Sequence, residues 1–235
     1  MGKRIIQRAR GHGSIRYRST KQAYAISAIY PEIGLEGKGI VEKLINVICY
    51  SAPVAKIKIN NKVFFNIAST NIFEGQEIEI GKNAQIKDGN ILPLSSIPPG
   101  TSVYNIETFP GSSGKLVRTS GLSAKITKKD DKRITIALPS KQEKTFDPKC
   151  RATIGTIAAG TRTEKPILKA GKMYFMKKAR GARVWPRTSA VKVNAIDHPF
   201  GCGRGKRIKS KIAKRNAPPG ANVGLLRPRR TGRKR

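Results

Sequence analysis

The sequence predicts an all-β fold built from two small β-rich halves, and three observations predict it. Stretches of polar and apolar alternation recur through the middle of the chain. Asn, Asp and Gly sit between them at turn positions, and Gly and Pro interrupt nearly every window long enough for a helix. Short strands with frequent turns close into small barrels or sandwiches. In chain order, Lys56-Ile57-Lys58-Ile59 alternates, Asn60-Asn61 tolerates positive φ, and Val63-Phe64-Phe65-Asn66-Ile67 follows, which describes a hairpin. Glu77-Ile78-Glu79-Ile80 is a further strand ended by Gly81, and Asp88-Gly89 turns the chain before Ile91-Leu92-Pro93-Leu94. Ser123–Thr127 and Arg133–Leu138 flank the polar tetrad Lys128–Asp131 as a second hairpin. Gly39–Val47 is the stretch expected to hold a helical turn or two, and Val191-Lys192-Val193-Asn194-Ala195 alternates like a strand. Gly81-Lys82-Asn83, Asp88-Gly89 and Pro98-Pro99-Gly100 place the boundary between the halves within 81–100, with a hairpin on each side and no internal repeat.

Charge narrows the function. The 235 residues carry 48 Lys+Arg against 14 Asp+Glu, a formal net charge of +34. Such a charge opposes compaction by self-repulsion and attracts polyanions, so nucleic acid or an anionic membrane is the expected partner. Residues 1–21 hold seven cations and no acid, 22–168 hold 20 against 13, and 169–235 hold 21 against one. A nearly balanced middle therefore lies between two cationic arms. The hydrophobic share of 38% is below the roughly 45–50% of typical domains, which leaves modest cores. Arms rich in Gly, Pro, Lys and Arg bury too little apolar surface to offset chain ordering, and are expected to order against a polyanion. Trp185 and Phe200 punctuate the second arm, as a mere solubilising tail would not need.

Other classes fall away. The longest nearly apolar stretch, Leu44 to Ala55, is broken by Asn46, Tyr50, Ser51 and Pro53, far short of the roughly 20 residues that span a bilayer. Met1–Ile6 has no signal-peptide core or myristoylation pattern, and Gly-Arg-Lys-Arg at the end is no lipidation box, so a cytoplasmic location is expected. Cys49, Cys150 and Cys202 are widely spaced with no Cys-x-x-Cys pair, and only His12 and His198 are available to join them, so no metal site is expected.

Two motifs invite chemistry. Gly111-Ser112-Ser113-Gly114-Lys115 resembles a phosphate cradle, yet two residues rather than four lie between its glycines and Leu116 replaces the magnesium-binding hydroxyl. The expected role is a loop that touches RNA phosphates through Lys115 and Arg118. Asp197 beside His198 suggests catalysis, but neighbours on a strand point to opposite faces, and a general base needs a positioned orienter. His198 is expected to contact a nucleotide, and Gly201, Gly203 and Gly205 to let the backbone approach RNA. The clusters Gly205–Lys211 and Arg227–Arg235 are dense in guanidinium and ammonium groups that neutralise phosphates.

At these residues the chain resembles the universal large-subunit ribosomal protein of the L-two family, in its archaeal and eukaryotic form. The likeness rests on Arg8-Ala9-Arg10-Gly11, Pro110-Gly111 through Gly114-Lys115-Leu116-Val117-Arg118 with Ser120-Gly121, Cys150–Gly155, and Lys169–Lys172. It continues in Lys178-Ala179-Arg180-Gly181, Trp185-Pro186-Arg187, Asn194, Asp197–Gly201, Arg215–Gly220 and Arg230-Thr231-Gly232. The resemblance implies an OB-fold barrel over 35–84 and an SH3-like barrel over 85–168, with a basic N-terminal extension (1–34) and a basic C-terminal extension (169–235) that threads into RNA. It implies a non-enzymatic constituent of the large subunit, set near the peptidyl transferase centre, that supports subunit assembly, subunit association and tRNA placement, with peptide-bond formation left to RNA. The implied partners are large-subunit rRNA, other ribosomal proteins, the small subunit and nearby tRNA, without a membrane. No cofactor is implied beyond Mg or K ions carried by the rRNA.

Carried over residue by residue, the expected RNA-binding set is Arg8, Arg10, Lys115, Arg118, Lys178, Arg180, Arg183, Trp185, Arg187, Asn194, His198, Gly201, Gly203, Lys206, Arg207, Arg215, Asn216, Arg229 and Arg230. The chain also departs from the family. Val191–Ala195 stands where Val-Ala-Met-Asn-Pro is usual, Cys202 interrupts a glycine run, and residues 204–211 carry Lys and Arg in place of histidines. These changes favour phosphate contact over base-specific contact in that segment.

Overall fold

The computed structural model describes residues 5–18, 25–182, 184–204, 212–213, 216 and 223–226. They fall into two compact units, one within 20–169 and the other formed by 1–19 together with 170–235. The fold class is all-β, as the alternation predicts, with strands β1 (Gly37–Ile45), β2 (Val54–Ile59), β3 (Lys62–Ile67), β4 (Glu77–Ile80), β5 (Ile91–Pro93) and β6 (Ser102–Tyr104). Then follow β7 (Ile106–Glu107), β8 (Gly114–Leu116), β9 (Ala124–Lys129), β10 (Ile134–Ala137), β11 (Glu143–Phe146) and β12 (Arg151–Ile154).

The first hairpin forms as its residues dictate: β2 pairs antiparallel with β3 from Val54 opposite Ile67 to Ile59 opposite Lys62, and Asn60 takes φ +51° at the turn. Along β2, Ile57 and Ile59 are buried while Lys58 is exposed. The second hairpin also forms, but β9 runs on to Lys129, so its turn lies between Asp130, whose N–H donates to the Arg133 carbonyl, and Arg133. Gly39–Val47 is mostly strand. Its β-branched Ile40, Val41 and Ile45 favour a pleated surface over a helix, and pairing with β2 on one side and β4 on the other satisfies its backbone.

A 10-stranded sheet runs in the order β11-β10-β9-β6-β12-β5-β4-β1-β2-β3, and β7 pairs separately with β8. Neighbours are antiparallel except β4 and β5, which meet in parallel through Ile80 opposite Ile91. The 81–90 loop, part of the 81–100 stretch where the turn signals place a boundary, thus leaves and re-enters one sheet. Each half nonetheless has its own core. Val41, Ile57, Ile59, Phe64 and Ile78 fill the first, and Leu94, Val103, Ile126, Ile134 and Ile136 fill the second. A third cluster joins them, with Val54 and Ile67 from one side packed with Tyr104 and Ile157 from the other. Burying each such side chain stabilises the fold by about 1.5–3 kcal/mol.

Polar groups also tie the halves together. The Tyr30 hydroxyl donates to the Asn105 carbonyl at 2.7 Å and lies 2.6 Å from Thr153 Oγ1, which accepts from Asn66 Nδ2 at 3.1 Å. Burial holds the Tyr30 phenol well above its ordinary pKa. Residues 25–34, which the resemblance assigns to the N-terminal extension, therefore belong to the β unit: Ala28 and Tyr30 are core residues and Ile29 bridges Phe65. Glu107, fully buried, accepts at Oε1 from Arg151 Nη2 (2.9 Å) and Nε (3.2 Å), and at Oε2 from the Arg151 backbone N–H (2.9 Å). Arg151 Nη1 donates onward to the Pro31 carbonyl at 2.8 Å.

The second unit holds α1 (Ile6–Gly11), α2 (Ala170–Ala179) and two short parallel strands, β13 (Ile212–Ala213) and β14 (Leu225–Leu226). The arms are thus not separate featureless extensions: their described residues share one unit and carry helices. α2 forms because Ala, Met and Lys dominate between Gly171 and Gly181 and lose little on entering a helix. It stops where Gly181 takes φ +73°, donating to the Lys178 carbonyl while Ala182 N–H reaches the Lys177 carbonyl. Among the described residues no helix is long and apolar enough to cross a membrane.

Candidate nucleic-acid interface

The division into units sharpens the charge asymmetry. Residues 1–19 and 170–235 together carry 26 Lys+Arg and one carboxylate, Asp197, whereas 20–169 carry 22 against 13. In the β unit several cations face their own acids, as in Lys56 with Glu42 (2.6 Å), Lys38 with Glu77 and Glu79, and Lys62 with Glu32. The Lys56 hydrogen bond holds the Glu42 carboxyl below its ordinary pKa. In the second unit so many cations outnumber a single acid that their potential is left for an external polyanion.

Within that unit the two ends of the chain converge. Arg8 and Arg10 lie exposed on α1, and Arg10 lines a cavity of about 430 Å³ with Gln7 and Tyr17 from the N-terminal arm and Arg187, Thr188, Asp197 and His198 from the C-terminal arm. Arg187 itself is exposed, its Nε 3.3 Å from the Val184 carbonyl. Sequence reasoning missed Tyr17 and Gln7. The signal was present in Ile15-Arg16-Tyr17-Arg18, an aromatic interleaved with arginines.

His198 is only 7% exposed. Its Nδ1 accepts the Phe200 N–H at 3.0 Å, which leaves the proton of the neutral ring on Nε2, and the ring lies 5.0 Å from that of Phe200. The strand expected over 191–195 is replaced by turns. Ala190–Lys192 is a 3-10 turn, and the Asn194 carbonyl accepts from both Asp197 and His198 N–H. Alternation alone makes no strand without a partner to pair with, and the argument that Asp197 and His198 occupy opposite strand faces lapses with it. Gly201 is buried here, and a Cβ on it would lie 2.4 Å from the Asn194 carbonyl oxygen, so only glycine fits. Cys202 follows in the left-handed region at φ +71° with its side chain exposed, and Gly203 at φ +94° faces open space. The close approach in this run is therefore at 201 and is made to the chain's own backbone.

Further along the arm, Lys178 and Arg180 are exposed at the end of α2, and Trp185 is half-buried with its ring 6.3 Å from that of Tyr174. Asn194 and Asn216 are exposed turn residues. Arg183, Lys206, Arg207, Arg215, Arg229 and Arg230 lie outside the described residues.

In the β unit the glycine loop is internally braced. Ser112 Oγ accepts from the N–H of Thr108 and Phe109, Ser113 Oγ accepts from Tyr30 N–H, and Ser113 takes φ +58°. A Cβ at Gly114 would fall 2.2 Å from Asn105 Oδ1. The serines thus hold the loop, and Lys115 stands exposed with Nζ 5.5 Å from the Phe109 ring centroid. Arg118 is placed differently: Nη2 donates to the Ala28 carbonyl (2.8 Å) and the Tyr50 hydroxyl (3.1 Å), and its guanidinium lies over the Tyr50 ring. Lys115 is presented to solvent, whereas Arg118 is largely committed to its own chain.

A β unit whose core is a 10-stranded sheet, and a second unit of 26 cations and one carboxylate, define a strongly basic β protein of the kind suited to nucleic acid. Residues 87–220 match the family model for Ribosomal Proteins L2, C-terminal domain. A "Large ribosomal subunit protein uL2" of Korarchaeum cryptofilum is 40% identical over 237 residues, covering 99% of this chain and 96% of that protein. One from Methanococcus maripaludis strain C5 is 44% identical over 241 residues, covering both chains in full. The chain belongs to the uL2 family of large ribosomal subunit proteins.

Proposed function

We propose that the chain is a structural constituent of the large ribosomal subunit that binds large-subunit rRNA near the peptidyl transferase centre. The observation that carries this reading is the concentration of 26 cations against one carboxylate in a unit where both chain ends meet. Such a unit neutralises phosphates brought together by RNA tertiary folding, and its arginines add planar donors suited to phosphate forks and base stacking. The β unit docks as a rigid body and offers Lys115 on its braced loop. Support for subunit assembly, for association with the small subunit and for tRNA placement follows from holding that RNA in one shape. Its other partners are neighbouring ribosomal proteins. The role is non-enzymatic, and any Mg or K ions at the interface belong to the RNA. His198 acts here as an ordered part of the RNA-facing turn, because its Nδ1 is already engaged by the Phe200 N–H.

The test is salt-dependent binding of the full chain, and of a chain ending at Lys169, to a folded large-subunit rRNA fragment and to a random duplex of matched length. If about ten phosphates are neutralised, the full chain shows a log–log slope of roughly −7 to −9, and most of it disappears with the second unit. Equal affinity for both nucleic acids at equal salt identifies a general polyanion coater and overturns the proposal.

A further inference from the structure

We infer that Tyr174, Trp185 and Lys178 form a recess that takes one unpaired RNA base; this rests on the rRNA-binding reading and names one of its contacts. Tyr174 and Lys178 are four residues apart on α2 and so share a face. Beyond the end of the helix, Trp185 lies against that face. The two rings lie 6.3 Å apart at 46°, and with Lys178 and Ala182 they line an open recess of about 240 Å³. Phe175 meets Tyr174 edge-on at 5.5 Å, which restrains the tilt of the tyrosine ring.

The lining decides the ligand. Two aromatic rings in one open recess, Tyr174 exposed and Trp185 half-buried, want a flat, π-bearing partner, because stacking on them needs no fixed hydrogen-bond pattern. A cationic guest such as an alkylammonium is repelled by Lys178 and by the surrounding cations. A nucleobase meets both conditions, since its face stacks and its phosphate meets the lysine. The base must be unpaired, because a base inside a duplex has both faces covered by its neighbours.

The chain has a single tryptophan, so its fluorescence reports on this recess alone. The experiment titrates the full chain, and its Tyr174→Ala and Tyr174→Phe variants, with a short oligouridylate and with an RNA hairpin duplex of matched length at one salt concentration. Trp185 emission is expected to be quenched by the single strand and not by the duplex. Tyr174→Ala should weaken single-strand binding by roughly 5- to 100-fold and leave duplex binding unchanged, while Tyr174→Phe keeps the wild-type behaviour. No quenching, equal quenching by both RNAs, or an equal loss of both affinities in Tyr174→Ala overturns the assignment. Preference for the rRNA fragment over random duplex is scored separately. A chain that retains this preference without quenching loses only the recess, and one that quenches without the preference loses the ribosomal reading.

Discussion

The β unit and the unit of joined arms solve opposite problems. In the first, cations face carboxylates, two apolar clusters and a third between them exclude water, and one buried ion pair is fully hydrogen-bonded. In the second, α1 and α2 bury no residue, and the described buried residues reduce to His198, Gly201 and Val223. Stability in the first comes from its own side chains. Charge in the second outnumbers its single carboxylate, and on the proposed rRNA-binding reading its stability rises when a polyanion neutralises it. The same chain thereby separates a scaffold from a grip.

Removing the grip should have the largest effect. A chain ending at Lys169 is expected to lose most of the salt dependence of rRNA binding and orders of magnitude in affinity at low salt, while keeping the cooperative unfolding of the β unit in urea. Removal of residues 1–19 should also weaken binding, because Gln7, Arg10 and Tyr17 complete the cavity that holds His198; an unchanged slope after that deletion breaks the pairing of the two ends.

Next comes the scaffold itself. Glu107→Ala leaves the Arg151 guanidinium largely buried without its carboxylate, and should cost about 3–5 kcal/mol in urea unfolding, with Glu107→Gln intermediate. Nucleic-acid salt slopes should not move in the Gln variant.

A smaller effect is expected from alkali. Burial raises the Cys150 thiol from 9.0 to about 11, so its contribution is in place below pH 9 and lost as pH rises through 11. Thermal unfolding of the wild type should fall across that range, and Cys150→Ala should flatten the fall. At neutral pH a thiol reagent should label Cys49 and Cys202, which are exposed, and spare Cys150 until the β unit unfolds.

The smallest change sharpens the comparison within the second unit. Cys202 pays the cost of a left-handed backbone, so Cys202→Gly should relieve about 1 kcal/mol. Gly201→Ala must instead displace the Asn194 carbonyl. Amide exchange over 194–203 separates the two, with protection raised in the first variant and lost in the second.

Local signals carried far in the β unit. The hairpin at Asn60-Asn61, the strand ended by Gly81 and the turn at Gly89 were legible because alternation and turn chemistry act between neighbours. The family motifs and the charge asymmetry were legible for the same reason, since they are written in residue type and order. Gly39–Val47 was misread because a few polar and apolar residues fit a helical turn as well as a strand, and only pairing with β2 and β4 chooses. The alternating Val191–Ala195 erred the other way, because it has no partner among the described residues.

What the sequence by itself determined is the class of fold, the excess of positive charge at both ends, and the residues available to meet a polyanion. What only the tertiary structure decided is who stands beside whom. It joined the chain ends around one cavity, sent Trp185 back to Tyr174, committed Arg118 to Tyr50 and Ala28, and buried Glu107 against Arg151. The physical reason is range. Periodicity and turn propensity are set within a few residues, whereas these contacts span from 11 to more than 150 residues and are selected by burial and hydrogen-bond satisfaction over the whole fold.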